Sequence, residues 1–268
     1  MEVHHHSHTT DPDPSTSSGH RGKKKWTHYF WEFLMLFLAV FCGFLAEYQL
    51  EHFIEKQRAK DFATSLHRDL VTDTVVFNKI IERLKICTKK ADTLVSILSN
   101  TEEAHKKVST IYNLSVYAFI TPTSTPNEST LQQLLNSGSL RYLKDNLLVD
   151  SIKSYNNTVQ LFKNISASTS NFTTEFRKTQ LQVIEINPVI EFLEGNDLLF
   201  DKISKNNSDT TFFSNRQLLT SDPLRLREYA NWCALKKFYL INSIVAYKRL
   251  YLQATDVLGL LNKQYHLK

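Results

Sequence analysis

Four histidines near the N-terminus form the densest group of side chains that could bind a metal ion. His4, His5, His6 and His8 lie in the polar segment MEVHHHSHTTDPDPSTSSGHRGKKK, and neutral imidazole is a good ligand for zinc, copper or nickel. The segment is rich in Pro, Ser and Asp, so we expect it to be disordered, without a fixed geometry to orient the rings. A polar tract or a cloning remnant is the preferred interpretation, and the four histidines are weak metal candidates.

Ser137 is the second candidate for chemistry, because it precedes a glycine in the segment QLLNSGSLRYL. A nucleophilic serine requires a positioned base and donors for an oxyanion, and the surrounding sequence indicates neither. Gly138 has a sufficient structural reason, since a glycine in the left-handed conformation ends a helix. Arg141 is expected to fix the following turn to a nearby acid or helix end. Both residues are assigned structural roles, and a hydrolase with an unrecognised site stays an alternative.

The remaining histidines and the cysteines lack the spacing of a metal or redox site. The histidines on predicted helices are isolated: His52, His67, His105 and His266. Cys42, Cys87 and Cys233 lie far apart and form no CxxC motif. The sequence also lacks a P-loop, a GxGxxG motif and paired carboxylates. It therefore predicts no metal or cofactor site and no enzyme activity.

Composition favours long helices around a sizeable core. The chain has 268 residues, 42% of them hydrophobic, with only 6 Gly and 6 Pro. This argues for an all-α fold over a sandwich or barrel with many turns. The net charge of +5 is modest, and part of it is concentrated at Arg21 and residues 23–25, so no binding to DNA or RNA is expected.

Residues 29–48, YFWEFLMLFLAVFCGFLAEY, are predicted to form a transmembrane helix. About twenty apolar residues cross roughly 30 Å of hydrocarbon as a helix, and the charged residues of the run, Glu32 and Glu47, lie near its ends. Trp26 marks the first boundary and Tyr48 the second, as is typical of aromatic rings in the headgroup region. A helix buried in a soluble core is the weaker interpretation.

The apolar run is interpreted as an uncleaved signal anchor. A cleavage site requires small residues in an A-x-A pattern, but bulky Phe44 precedes Ala46. Basic residues precede the span, whereas acids and bases are mixed after it, so the N-terminus is expected in the cytoplasm. The predicted organisation is a tail at 1–25, a membrane anchor at 26–50 and an extracytoplasmic helical domain at 51–268.

The membrane helix is expected to continue as a stem, because no Gly or Pro occurs between Phe44 and Ile120. Apolar residues recur along the stem at steps of three and four. They are Ala63, Leu66, Leu70, Phe77, Ile80, Leu84, Cys87, Ala91, Leu94 and Leu98, and Asp73 interrupts them. Packing on other helices of the same chain is preferred over an intermolecular coiled coil. Small residues in the span leave a homo-oligomer open.

Two shorter helices are expected after the stem. Asn100 is a helix-starting residue, and the helix that it begins should run to about Tyr117. The loop TPTSTPNES follows. A short helix over about residues 128–136 is then expected to end at Gly138.

Two long helices complete the prediction. The first covers roughly residues 144–184 and leads into an irregular connection around Pro188. The second has Asp222 as N-cap and Pro223 at its first position, and it runs towards Tyr265. All these elements together predict an antiparallel bundle of long helices.

Cys87 and Cys233 are predicted to face each other across the bundle. Cys87 lies in the apolar series of the stem. Cys233 belongs to a second series, Leu226, Ala230, Cys233, Leu240, Ile244, Tyr247 and Tyr251, which is interrupted by Lys237. Cys87 is roughly 55 Å along its helix from the membrane, and Cys233 is roughly 50 Å along its own if the C-terminus returns to the membrane. An oxidising compartment would permit a disulfide, but proximity without a bond is preferred, because buried cysteine is a common small apolar residue.

Four sequence features occur together: the His-rich start, the FxEFLMxFLAV span, the QLxxSGxLRxL element from Gln133 to Leu143, and the terminal KQYHLK. In these features the chain resembles uncharacterised single-pass membrane proteins of the Bacteroidota. The resemblance implies a Gram-negative envelope protein, anchored in the inner membrane with its large domain in the periplasm. That family has no established activity, so no catalytic residue is carried over.

Three functional hypotheses remain. A tethered helical bundle without a catalytic constellation is best interpreted as an interaction or scaffolding protein, whose partners are the lipid bilayer and another envelope protein. The alternative is a sensor whose bundle binds a small ligand between helices and acts through a separate partner, because the tail is too short for a signalling domain. The third is the hydrolase with an unrecognised site.

Overall fold

The computed structural model describes residues 26–195 and 210–267. The four N-terminal histidines and most of the stretch that follows Gly195 lie outside these residues. The helices are α1 (Trp26–Leu98), α2 (Thr101–Lys106), α3 (Val108–Phe119), α4 (Ser129–Asn136), α5 (Asn146–Gln180), α6 (Ile186–Gly195) and α7 (Pro223–Tyr265). Because the described residues contain no strand, the predicted all-α fold class is confirmed.

The contacts divide the chain into two units, Met1–Ile54 and Glu55–Lys268. In the first unit, α1 contains the only segment of the described residues that is long and apolar enough to cross a membrane, and none of it is buried. Phe33 is 66% exposed and Phe44 is 68% exposed. A helix of a soluble core would bury such side chains, so their exposure favours the predicted membrane span over that interpretation.

In the second unit, the apolar series of the stem is the buried face of α1. Every apolar member that the sequence predicts, from Ala63 to Leu98, is buried. The series packs on helices of the same chain, as predicted: the Phe77 ring lies 5.8 Å from the Tyr247 ring of α7, and Asp92 forms an ion pair with Lys237 of α7.

These contacts also fix the directions of the long helices. An early residue of α1, Phe77, meets the late Tyr247 of α7, whereas the later Asp92 meets the earlier Lys237. Ring contacts between α5 and α7 run in the same descending order: Phe162 with Tyr247, Phe172 with Tyr239, and Phe176 with Tyr229. Helix α7 is therefore antiparallel to both α1 and α5, which makes α1 and α5 parallel to each other.

The helix predicted from Asn100 to about Tyr117 is two helices. The Asn100 side chain caps the first, as expected, by accepting hydrogen bonds from the backbone N–H groups of Glu102 and Glu103. Lys107 then leaves the helical conformation, with φ −116° and ψ 33°. The reason is burial, because α2 lies at the surface whereas residues 111–118 of α3 are all buried. The break lets the chain turn inward, which a straight helix could not do.

The connection predicted to be irregular around Pro188 is partly helical. Helix α5 ends at Gln180, earlier than predicted, and α6 contains Pro188 in its first turn. Proline is tolerated there because the first N–H groups of a helix have no partner within the helix. Val189 and Leu193 are buried, so the apolar side of α6 supplies the packing that stabilises this short helix.

Three of the residues assigned structural roles act at the ends of elements. Gly138 has φ 68°, the left-handed conformation expected after α4. The Asp222 carboxylate accepts a hydrogen bond of 3.0 Å from the backbone N–H of Leu224, and Pro223 is the first residue of α7. Each residue therefore stops or starts a helix, which is sufficient reason for its type.

Candidate functional site

Ser137 and Arg141 make local contacts. The Ser137 hydroxyl lies 2.6 Å from both the Gln133 carbonyl oxygen and the Ser139 hydroxyl. Arg141 donates a hydrogen bond of 3.1 Å to the Tyr142 hydroxyl, and its guanidinium lies 5.0 Å from the centre of that ring. The carbonyl and the second hydroxyl do not supply the base that a nucleophilic serine requires. The described residues likewise hold no group of three His, Cys, Asp or Glu side chains that could bind a metal.

The most unusual side chain of the bundle is a fully buried lysine, Lys236 of α7. Its ammonium donates hydrogen bonds to the hydroxyls of Thr121, at 2.5 Å, and Thr173, at 3.4 Å. It also lies 5.6 Å from the centre of the Phe176 ring. Within the described part of the chain, no carboxylate forms an ion pair with it. Burial of a lysine without an acidic partner costs free energy, because the charged amine loses its hydration.

The pKa of Lys236 is lowered from 10.5 to about 8. Burial is the main cause, because it disfavours the charged amine, and the positive charge of Arg177 lowers the pKa further. The amine is therefore still mostly protonated at pH 7, but it loses its proton far more readily than a surface lysine.

Cys87 and Cys233 are both buried free thiols near this lysine. Burial raises the pKa of Cys87 to about 12 and that of Cys233 above its ordinary value, although the charge of Lys236 acts in the opposite direction on both. Thiols held in their neutral form are unreactive. No disulfide joins the two thiols in this structure. Their proximity across the bundle stays a prediction, and the disulfide stays its less favoured alternative for an oxidising compartment.

Two buried side chains, Tyr247 and Asp73, form hydrogen bonds with the loop at residues 120–128, which lies next to Lys236. The Tyr247 hydroxyl donates to the Ser124 carbonyl and accepts from the Ser124 N–H, each at 2.7 Å. Asp73 accepts hydrogen bonds from the Asn127 N–H at 2.9 Å and from the Tyr155 hydroxyl at 3.4 Å. Burial raises the pKa of Asp73 to about 6, although these two hydrogen bonds act in the opposite direction and lower it. The acid that interrupts the apolar series of the stem thus connects α1 to the loop.

A polar cavity of about 300 Å³ lies between this loop, α5 and α7. Eight Ser and Thr residues line it, among them Thr121 and Thr173, the two acceptors of Lys236. Arg177 also lines it, and its guanidinium lies 4.5 Å from the centre of the Phe119 ring. Asp and Glu are missing from the lining, so the charges at this cavity are positive.

The outer face of α7 carries apolar side chains at helical spacing. We call these residues the α7 outer stripe: Leu235, Phe238, Ile241, Val245 and Leu252. Phe238 is 56% exposed and Val245 is 57% exposed. An apolar groove of about 430 Å³ runs beside the stripe, with Leu161 of α5 on one side and Val245 and Arg249 of α7 on the other. A continuous apolar surface on a helix is typical of a binding face.

Sequence reasoning missed both features of α7. The predicted series was interrupted by Lys237, but Lys237 lies at the surface side and pairs with Asp92. The buried position is Lys236, and steps of three and four from Tyr229 through Cys233 to Leu240 pass through it. The α7 outer stripe could also have been predicted from the sequence, because apolar residues recur in α7 between the positions of the buried series. Helix α7 therefore has one apolar face in the core and a second apolar face that is exposed.

Comparison with known proteins assigns nothing to this geometry. No family model, curated protein or solved structure matches the chain.

Proposed function

We propose that the chain is a membrane-anchored interaction or scaffolding protein of the bacterial envelope. It binds an amphipathic helix of a partner protein through the α7 outer stripe. The observation that carries this proposal is the exposure of five large apolar side chains in helical register on α7, next to the apolar groove. An apolar helix packs into such a groove by the same spacing, with anchor side chains at every third or fourth position.

The charges beside the stripe indicate the chemistry of the partner. Lys248 and Arg249 are exposed, and neither forms an ion pair with any residue that the structure describes. Residues 235–252 include no acid, and of their four basic residues Lys236 is buried and Lys237 pairs with Asp92, which leaves Lys248 and Arg249 as the charges beside the stripe. A second copy of α7 would therefore bring more positive charge to the interface, whereas a helix with acidic flanks would neutralise it. Like charges across an interface are costly, so we favour an acidic partner helix over self-association.

A designed peptide tests the binding face. We expect the full chain in detergent to bind an amphipathic helix with a leucine stripe and glutamate flanks, and to bind the same helix with lysine flanks more weakly. Val245→Asp should weaken binding of the acidic peptide about thirtyfold, because it places a charge in the centre of the apolar contact. Fluorescence anisotropy of the labelled peptide measures both effects.

The matched control is Val75→Asp. Val75 of α1 is 54% exposed, close to the 57% of Val245, but it lies outside the α7 outer stripe. Its substitution should leave the affinity unchanged. An equal loss in both variants, or equal affinity for the acidic and basic peptides, would contradict the proposal. A detergent-solubilised dimer that is lost on Val245→Asp would identify a second copy as the occupant instead.

The proposal includes an anchored topology. The apolar segment of α1 would span the inner membrane, with the N-terminal tail in the cytoplasm and the helical domain in the periplasm. The basic cluster before the span supports this orientation. The resemblance to Bacteroidota membrane proteins supports the same location, because those proteins share the span and the QLxxSGxLRxL element.

Reporter fusions test the topology. Alkaline phosphatase fused to the C-terminus should be active, because it folds only after export, and a green fluorescent protein fused at the same point should be dark. The opposite pair of results would reverse the orientation. Release of the domain from membranes by salt or carbonate would argue against an integral anchor.

A further inference from the structure

The polar cavity holds cationic groups without an acid to balance them. Arg177 is part of the cavity lining. Lys236 is not, but it donates hydrogen bonds to two lining residues, Thr121 and Thr173. The lining contains no carboxylate. Lys236 is buried and Arg177 is exposed, but their positive charges repel each other, and an anion between them would stabilise both.

Hydrogen-bond donors remain available in this cavity. Thr121 accepts from Lys236, so its own hydroxyl hydrogen can donate to a ligand. The Ser166 and Ser170 hydroxyls also line the cavity, and neither bonds a described residue. The Thr173 hydroxyl, in contrast, already donates to the Thr169 carbonyl. Hydroxyls and one guanidinium are the groups that hold a polyhydroxylated anion, since the hydroxyls match its hydroxyl groups and the guanidinium its charged oxygens.

We infer that the cavity between loop 120–128, α5 and α7 binds a small polyhydroxylated oxyanion, with Arg177 at the charged group. The cavity of about 300 Å³ suits a ligand of monosaccharide size. Lys236 contributes positive charge and orients Thr121 and Thr173. None of the residues of the α7 outer stripe lines this cavity. The inference about the ligand is therefore independent of the proposed partner helix.

Calorimetry on the full chain in detergent tests the site with four probes: glucose 6-phosphate, glucuronate, glucose and inorganic phosphate. We expect at least one of the two charged sugars to bind more tightly than both glucose and inorganic phosphate. This order is expected because only the charged sugars use the cations and the hydroxyls together. The same probe should raise the melting temperature of the domain.

Neighbouring residues on α5 supply the matched variants. Arg177→Gln should weaken binding of the charged sugar about tenfold or more, because it removes a charge-assisted hydrogen bond. Lys178→Gln should leave binding unchanged, because Lys178 is exposed, pairs with Glu175 and does not line the cavity. Both positions lie at the surface, so both variants should fold.

Lys236→Met provides an independent test from inside the bundle. It should also weaken binding, because it removes the second positive charge while leaving the apolar stem of the side chain. Absence of binding by both charged sugars, binding of glucose with equal affinity, or equal losses in Arg177→Gln and Lys178→Gln would overturn the inference.

Discussion

Lys236→Met is expected to increase the free energy of unfolding of the domain at pH 7 by about 1 to 3 kcal/mol. The pKa of Lys236 falls from 10.5 to about 8 on folding, which corresponds to a cost of about 3 kcal/mol for burying the charged amine. Methionine occupies a similar volume without a charge. Part of the gain is offset because Thr121 and Thr173 lose a donor.

The pH dependence identifies the lysine as the cause. Because its pKa is lower in the folded state, the unfolded chain binds more protons between about pH 8 and pH 10.5. The destabilisation of the folded state by the buried charge of Lys236 is therefore complete below pH 8, and it disappears as the pH rises from about 8 to 10.5. The stability difference between Lys236→Met and the wild type should accordingly be constant from pH 6 to about 7.5 and shrink at higher pH.

Urea unfolding of the full chain in detergent, followed by circular dichroism, measures these effects. Lys237→Met is the matched control, since Lys237 is the next residue but is partly exposed and paired with Asp92. Its substitution should change the free energy of unfolding by no more than about 0.5 kcal/mol. A Lys236→Met variant that is less stable than the wild type, or a stability difference that does not vary with pH, would contradict the assignment.

The pair Lys236 and Lys237 shows where sequence reasoning about this chain succeeds and fails. The existence and direction of α7 follow from Asp222, Pro223 and the spacing of apolar residues, because capping and periodicity are local properties. Which of the two adjacent lysines is buried depends on the rotation of α7 about its axis, because neighbouring residues point in directions about 100° apart. The periodicity of the apolar residues places Lys237 in the buried series, whereas the structure buries Lys236.

Other differences have the same origin in tertiary packing. The break at Lys107 and the helix that contains Pro188 depend on which side of each segment is covered by the rest of the chain. Neither is encoded by local propensity, because Lys107 is an ordinary helix former and proline usually interrupts helices. The long apolar series of α1 was predictable, since its period persists over many turns and outweighs any single residue such as Asp73.

The polar cavity could not be predicted from the sequence, because its walls come from distant segments. Thr121, Thr173 and Ser243 lie far apart in the chain and meet only through the packing of the loop, α5 and α7. Serine and threonine on helices are also common without any function, and several of these hydroxyls bond the preceding helical turn. Their convergence near two cations is visible only in three dimensions.

Tyr247→Phe is expected to cost about 1 to 3 kcal/mol of stability and to loosen the loop at residues 120–128. The phenol hydroxyl both donates to the Ser124 carbonyl and accepts from the Ser124 N–H. Phenylalanine keeps the ring contacts with Phe77 and Phe162, so the loss reports the hydroxyl and not the core. The freed N–H must then find water, which requires the loop to move away from α7.

Hydrogen exchange with mass spectrometry on peptides that cover residues 120–128 measures this loosening, and urea unfolding measures the stability. Tyr251→Phe is the control one turn later on α7, where the side chain is 36% exposed, and it should change neither quantity by much. Exchange should remain slow in the segment around Phe77, because the packing of α1 does not depend on the hydroxyl. Equal exchange of the loop in Tyr247→Phe and the wild type would show that its other contacts, among them those of Asp73 with Asn127 and of Lys236 with Thr121, hold it without the hydroxyl. Faster exchange confined to the loop would show that Tyr247 fastens the cover of the polar cavity while the bundle beneath it stays folded.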